Sequence, residues 1–246
     1  MNIKEIVQTP YTTNPRFAPV DNVVLKPYTD DYFNEREYEY NHLGAEIYFE
    51  SDIAKKECLV EKTSEAMQMW ELPFVDIEEF GLEIPDDVIM HKGKVEACFV
   101  AMASGWNPSK VAGMTLSEVH EPVADSDMLR KASEGIWRAM TSGKSFHRYT
   151  WGISPSGHLS NHPNWPKPDF KSLDDLYFRV EHERTLTVNE DTAAFFIDVT
   201  VRRLPFIFHL KNEYKDLIKQ SINSMSDSVL KYKNLEKVKR LINEAN

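Results

Sequence analysis

His120, His158 and His162 are the side chains of this 246-residue chain whose surroundings first suggest chemistry. His120 is followed by Glu121 and Pro122, and the proline restricts Glu121 to extended geometry. A helix or turn must therefore end there and hold the imidazole at its terminus. A histidine fixed at a helix end can act as an axial ligand of a metal or of haem. The alternative, which the spacing alone favours, is a histidine that caps the last carbonyls of the helix.

The other two histidines have a spacing that suits a metal only on a helix. His158 and His162 are four residues apart, so one helix face could present both imidazoles to a metal ion. Pro155, Gly157 and Pro163 interrupt any helix in this region. We therefore expect a solvated loop.

Alternating charged residues form the next candidate. In a strand over residues 178–184, Arg179, Glu181 and Glu183 would share one face. The simpler interpretation, and the favoured one, is a salt-bridge ladder that faces solvent. The second is an Arg/Glu pair inside a pocket, which would arrange charge around a polar ligand. In the preceding predicted strand, Trp151 taken in isolation is expected to pack in the core.

These residues must be positioned by a mixture of helices and strands. Helical periodicity is found at residues 30–43, 52–70, 127–142 and 211–246. Strand patterns cover residues 88–100 (two strands with a turn at Lys92-Gly93), 148–154, 176–187 and 192–201, the last continuing towards Phe208. Because strands and helices are segregated without a βαβ alternation, the order predicts an α+β fold with an antiparallel sheet. A proline-rich loop over residues 155–168 is of a kind that covers pockets.

Composition narrows the possible partners. The chain has 39 acidic and 29 basic residues and a net charge of −10, which argues against nucleic acid and anionic membranes. The start does not resemble a signal peptide, and no apolar run approaches the ~18–20 residues of a membrane span. Cys58 and Cys98 match no metal or disulfide pattern, so we expect buried free thiols in a reducing compartment. The expectation is a soluble cytoplasmic protein.

Two sequence motifs resemble one enzyme family. Residues 105–110 read Gly-Trp-Asn-Pro-Ser-Lys, Gly113 follows, and residues 119–123 read Val-His-Glu-Pro-Val. This series resembles the haem-dependent oxidative N-demethylase alpha-subunit family, whose members show a Gly-Trp, Pro, Lys and Gly series leading into Ile-His-x-Pro-Val. Weaker matches lie at residues 86–87, 148–151, 179–181 and 185–186, and the likeness runs from about residue 27 to 205. The chain departs from the family at Thr150, where the family has asparagine, and at residues 182–184.

The resemblance implies a fold and a reaction. Residues 1–210 would form a PAS-like haem-binding domain with an N-terminal lead-in, and residues 211–246 a C-terminal helical extension. Haem b and dioxygen would oxidise a small secondary amine such as dimethylamine, releasing formaldehyde and a primary amine. Electrons would come from NADPH through a separate reductase subunit that carries FMN and an iron–sulfur cluster, in a possible hetero-oligomer.

The resemblance also implies roles for individual residues. His120 would be the axial ligand of the iron, and Lys110 and Arg148 would contact the cofactor. The catalytic residues would be Arg179, Glu181 and Trp151. Because a buried cation needs a partner charge, an acid must hold the ammonium form of the amine. The candidates for that acid are Glu181, Asp86 and Asp87.

Two further interpretations stay open at this point. One is a non-catalytic PAS-like protein that senses haem or another small ligand. The other is a structural or interaction protein in which His120 is only a helix cap. Should haem bind without His120, His147 would be the first alternative ligand.

Overall fold

One antiparallel sheet organises the computed structural model, which describes residues 2–14, 16–27, 29–69 and 74–244. Seven strands lie in the spatial order β1–β5–β6–β7–β3–β4–β2. Their bounds are β1 Ala18–Val20, β2 Tyr48–Glu50, β3 Asp87–His91, β4 Val95–Phe99, β5 Ser145–Ser154, β6 Tyr177–Asn189 and β7 Thr192–Arg203. The three longest strands, β5, β6 and β7, are neighbours.

Eleven helices flank the sheet in the described part of the chain. They are α1 Ile3–Ile6, α2 Asp30–Leu43, α3 Asp52–Lys56, α4 Leu59–Ala66, α5 Ile77–Glu83, α6 Leu116–Val119, α7 Asp127–Met140, α8 Leu204–Leu210, α9 Asn212–Asn223, α10 Asp227–Tyr232 and α11 Glu236–Glu244. The predicted α+β class, an antiparallel sheet flanked by helices, is confirmed. The PAS-like arrangement stays a prediction.

The register of the central strands decides which side chains meet. Thr150 of β5 lies opposite Glu181 of β6, and Gly152 lies opposite Arg179. Because successive residues of a strand point to opposite faces, these four residues and Glu183 of β6 share one face of the sheet. The neighbouring residues of each strand point to the other face.

Two apolar clusters form the core. The first is built around β3, β4 and α5, with Phe80, Phe99 and Phe196 fully buried. The second contains Trp151 and Phe178 together with apolar residues of α1 and of the helices that come after β7. The C-terminal helices therefore share a core with the sheet, and the domain boundary at residue 211 stays a prediction.

Two elements end at residues other than those that the sequence pattern predicts. The helix predicted over residues 52–70 is two helices, because Cys58 between them adopts a left-handed conformation with φ 53°. Trp70, its predicted last residue, lies outside the described residues. Strand β7 does not continue towards Phe208: α8 begins at Leu204, and Pro205 lies in its first turn, where a helix needs no N–H donor.

The two cysteines differ in their surroundings. Cys98 is a buried free thiol, as expected, and its burial raises its pKa to about 12. Cys58 is exposed, so that part of the prediction was wrong. Its position at the junction of two helices, where the backbone turns, explains the exposure.

Among the helices of the described ranges, none is both long and apolar enough to cross a membrane.

Candidate functional site

A cavity of about 1400 Å³ opens on the face of the sheet that carries Arg179, Glu181 and Glu183. Side chains of β3, β5, β6 and β7 line it, together with α2, α6 and the loops around residues 104–111 and 155–168. Small-molecule pockets commonly measure ~300–1,000 Å³. The cavity therefore has room for a large cofactor and a small substrate together.

Helix α6 positions His120 at the wall of this cavity. The helix starts with a capping box, in which Thr115 and Glu118 each accept a hydrogen bond from the other's backbone N–H. His120 comes directly after the last helical residue, and its Nδ1 lies 2.7 Å from the carbonyl oxygen of Leu116. Within the described residues Nε2 has no hydrogen-bond partner, so it is the ring nitrogen left for a ligand. Capping and ligation are thus compatible, because the same bond that caps the helix fixes the ring.

Burial keeps the imidazole of His120 in the form that binds metal. The pKa of His120 is lowered, first by burial and then by the charge of Arg148, against the hydrogen bond to Leu116, which acts to raise it. A histidine must be neutral to coordinate a metal ion. The environment of His120 is therefore suited to ligation.

His91 of β3 is a second histidine of the cavity, and the sequence interpretation missed it. It is buried, its Nδ1 has no hydrogen-bond partner among the described residues, and burial with nearby His120 lowers its pKa to about 4. The alternation of β3, which places His91 on the same face as Asp87 and Ile89, is the signal that could have found it.

The alternative ligand named from the sequence, His147, belongs to a separate cluster on the other face of β5. Its Nδ1 lies 3.0 Å from Nε2 of His182, and the His182 ring stacks on Tyr149 with 4.4 Å between centroids. The pKa of His182 is lowered to about 4 by burial and by the charges of Arg184 and His147. The structure therefore does not bring His147 to the cavity.

A polar cluster forms the floor of the cavity. The Arg179 guanidinium donates to the hydroxyl of Ser104 and to the carbonyls of Leu159 and Met102. The Ser104 hydroxyl donates in turn to Glu181, whose carboxylate lies 3.5 Å from Nε of Arg179. Arg179 is therefore held rigidly, with Glu181 beside it.

Glu181 is kept ionised in this cluster. It accepts a second hydrogen bond, 2.8 Å long, from the hydroxyl of Thr150. Burial alone would raise the pKa of Glu181, but Arg179 and the two hydroxyl donors hold it below its ordinary value. Thr150, where the sequence departs from the family that its motifs resemble, is thus a direct partner of a predicted catalytic carboxylate.

The salt-bridge ladder facing solvent was the wrong interpretation of this strand. Glu183 pairs with Arg148 of β5, and both side chains line the cavity. Burial raises the pKa of Glu183 in spite of the charge on Arg148. The alternation itself was predicted correctly, and the elements that pack over it turn this face into a cavity wall.

Lys110 and Trp151, the remaining predicted site residues, both border the cavity but differ in how deeply they are buried. Lys110 is exposed in a short 3-10 turn, Pro108–Val111, and borders the cavity. Trp151 also borders it, but its ring is 5 % exposed and stacks on Phe178 with 5.5 Å between centroids. The structure therefore gives the Trp151 ring a packing role. Its carbonyl accepts a hydrogen bond of 2.8 Å from Lys233.

The loop of the histidine pair is solvated only in part. His158 is exposed, as expected, whereas the prediction for His162 was wrong, because His162 is 1 % exposed. Backbone hydrogen bonds from Asn161 to Ala103 and from Gly105 to Asn161 draw this part of the loop inward. His162 therefore borders the cavity.

The two acids at the start of β3, Asp86 just before it and Asp87 as its first residue, are both paired with arginine. Asp86 lies 2.8 Å from Arg184, and Asp87 lies 2.8 Å from Arg36. Burial raises the pKa of Asp86 to about 6 and raises that of Asp87. Each acid is therefore already paired with a buried arginine, and neither is available to pair with a cationic ligand.

The side chains that could bind a metal favour one that is carried by a cofactor over a bare ion. In the ranges that the structure describes, no group of three or more His, Cys, Asp or Glu side chains could hold a bare metal ion. His120, whose ring is fixed at the wall of a large cavity, could hold the iron of haem, because the macrocycle would supply most of the other iron ligands.

Fold and cavity thus describe an α+β protein with a site for a large cofactor, and comparison with known proteins gives the family. Residues 38–243 match the family described as "Haem-dependent oxidative N-demethylase, alpha subunit-like". The match covers most of the chain, which therefore belongs to this family. The resemblance inferred from the sequence motifs is confirmed. A comparison with curated proteins finds no match.

Proposed function

We propose that this protein is the haem-bearing subunit of an enzyme that removes a methyl group oxidatively from a small secondary amine such as dimethylamine. Dioxygen is the oxidant, and a separate NADPH-dependent reductase subunit supplies electrons. The observation that carries the proposal is His120, fixed by Leu116 at the wall of the 1400 Å³ cavity, inside the region that matches the family.

The residues of the cavity fit haem b. His120 would hold the iron, and Arg148 and Lys110 would lie beside the acidic groups of the cofactor, for which cationic side chains are suitable partners. A Cβ atom placed on Gly152 would meet no atom within 4 Å, so the cavity is open above this strand. When bound, haem supplies the iron at which dioxygen is activated.

The polar cluster on the floor of the cavity would handle protons. The Ser104 hydroxyl accepts a hydrogen bond from Arg179 and donates one to Oε1 of Glu181. An ionised carboxylate beside a hydroxyl can accept a proton from a ligand and pass it along the hydroxyl. Arg179 would hold the carboxylate in place, and the buried ring of Trp151 would support the strand from behind.

The placement of the reductase cofactors on a separate subunit is consistent with the sequence of this chain. The chain has no glycine-rich phosphate loop that would cradle a nucleotide cofactor. FMN, the iron–sulfur cluster and the NADPH site would therefore belong to the partner subunit of a hetero-oligomer. This division separates the enzyme from a sensor: only the enzyme consumes NADPH with the reductase when amine is added.

Haem retention by His120→Ala tests the proposal. We expect this variant to lose the haem absorbance band when purified from iron-replete cells, because the axial bond has no substitute in packing. His209→Ala is a matched control, since Nδ1 of His209 lies 2.6 Å from the carbonyl of Pro205 in the same type of helix-end contact. Each variant should lose about 1 kcal/mol of stability with its hydrogen bond.

The two outcomes separate the ligand from the cap. If His120→Ala and His209→Ala both retain haem, His120 is only a cap and the proposed ligand is wrong. His91→Ala is then the next variant to examine, because His91 faces the same cavity.

A further inference from the structure

Two acids of α2 differ from the acids on the sheet side of the cavity. Asp87, Glu181 and Glu183 line the cavity and each lie within 4.0 Å of an arginine nitrogen, as does Asp86 next to them. Glu35 and Glu39 also line the cavity, but within the described ranges no lysine or arginine nitrogen lies within 4.0 Å of either carboxylate. His158 is a basic side chain beside them: its Nδ1 lies 4.0 Å from Glu35, and its charge acts to lower the pKa of Glu39.

Burial makes the uncompensated charge of Glu39 costly. Glu39 is 3 % exposed, and its Oε2 accepts a hydrogen bond of 2.7 Å from the indole N–H of Trp165. Burial, with a contribution from Glu35, raises the pKa of Glu39 against the hydrogen bonds that lower it. A buried carboxylate of this kind is stabilised when a cation lies beside it.

The side chains around Glu39 suit an organic cation. Tyr38 is half-exposed and stacks on Trp165 with 5.9 Å between ring centroids, and both rings line the cavity. The electron-rich faces of such rings attract ammonium groups, including methylated ones. Glu35 holds the covering loop at the same place, because it accepts a hydrogen bond from the backbone N–H of Leu159.

A buried imidazole completes this group. His162 lies one turn before Trp165, since the Trp165 N–H donates to its carbonyl over 3.0 Å. Its Nε2 is buried and has no hydrogen-bond partner among the described residues, and Oε2 of Glu46 lies 3.9 Å away. Burial lowers the pKa of His162 against the charge of Glu46, so the ring is neutral. Because Nδ1 accepts the backbone N–H of Asn164, the proton of the neutral ring is on Nε2, which is a donor.

We propose that the amine binds as a methylated ammonium cation at a site that we name the α2 subsite, formed by Glu35, Tyr38, Glu39, His162 and Trp165. A secondary ammonium carries two N–H donors and two methyl groups. The carboxylates of Glu35 and Glu39 accept the donors, the aromatic rings contact the methyl groups, and the neutral imidazole adds no competing positive charge. The identity of the ligand rests on the proposed function. We therefore place ammonium binding at acids of α2. The acids suggested by the sequence, Glu181, Asp86 and Asp87, are already paired with arginines.

Titration calorimetry with dimethylammonium chloride on the purified full chain tests this subsite. We expect saturable binding of one cation per chain at neutral pH, weakened by added salt. Glu39→Gln should raise Kd at least tenfold, because it removes the buried charge and retains the shape. Glu37→Gln is the matched control: it makes the same change on the exposed side of the same helix and should leave Kd within twofold.

A second variant covers the case in which Glu39→Gln unfolds. Glu35→Gln keeps a side-chain oxygen that can accept the Leu159 N–H, so the loop stays attached while the charge is lost. It should also raise Kd, and circular dichroism checks that each variant is folded. Unchanged affinity in both variants overturns the subsite, as does equally tight binding of neutral 2-propanol. An equal loss in Glu37→Gln also overturns it.

The test separates the subsite from the proposed function, because calorimetry needs neither haem nor reductase. If the chain binds dimethylammonium through Glu39 but retains no haem, the proposed function fails and the subsite stands. If haem and amine turnover are found but Glu39→Gln binds amine as well as the wild type, the subsite fails.

Discussion

Acid should destabilise this protein through the histidine pair of β5 and β6. His182 and His147 contact each other through one ring nitrogen each, and the His182 ring is stacked on Tyr149. Burial, Arg184 and His147 lower the pKa of His182 from 6.5 to about 4. Between pH 6.5 and pH 4, His182 therefore binds a proton in the unfolded chain but not in the folded chain. The free energy of unfolding accordingly falls as the pH drops below 6.5.

The size of the effect can be worked out from this shift. Between pH 7 and pH 5 an unfolded histidine becomes protonated, whereas a group with a pKa of about 4 does not. The linkage relation then gives a loss of about 2 kcal/mol in the free energy of unfolding. His182→Phe retains an aromatic ring to stack on Tyr149 and removes the titration. Its unfolding free energy should accordingly lose about 2 kcal/mol less than the wild type over the same pH interval.

Urea unfolding at pH 7 and at pH 5, monitored by circular dichroism, measures the difference. His158→Ala, on an exposed part of the loop, controls for the loss of a histidine as such. A pH dependence in His182→Phe that equals that of the wild type would show that His182 does not titrate differently on folding.

Two more substitutions probe the buried charges. Arg36→Met leaves Asp87 buried without its partner at 2.8 Å and should cost about 3–5 kcal/mol in urea unfolding; a loss below 1 kcal/mol would contradict this. Glu181→Gln should lower the rate of amine turnover with the reductase but cost only about 1 kcal/mol, because Arg179 keeps its other acceptors. An unchanged turnover rate would remove Glu181 from the proton-handling role.

Local patterns explain the parts of the fold that the sequence predicted. Strand alternation placed Arg179, Glu181 and Glu183 on one face, and the proline after Glu121 placed His120 at a helix end. Pro205 shows the limit of such reasoning, because the same residue can end a strand or begin a helix. The packing of the residues on its C-terminal side against the sheet, and not the proline itself, decides between them.

What the sequence alone determined is therefore the order of elements, the antiparallel class and the side chains that share a face, since these depend on neighbours along the chain. Only the tertiary structure decided which face is covered. It turned the charged face of β6 into a cavity wall and buried His162. It also left Cys58 exposed. Burial depends on segments far apart in sequence, and so does charge pairing: Arg36 reaches Asp87 across 51 positions, whereas Glu39 of the same helix has no lysine or arginine beside it in the described ranges.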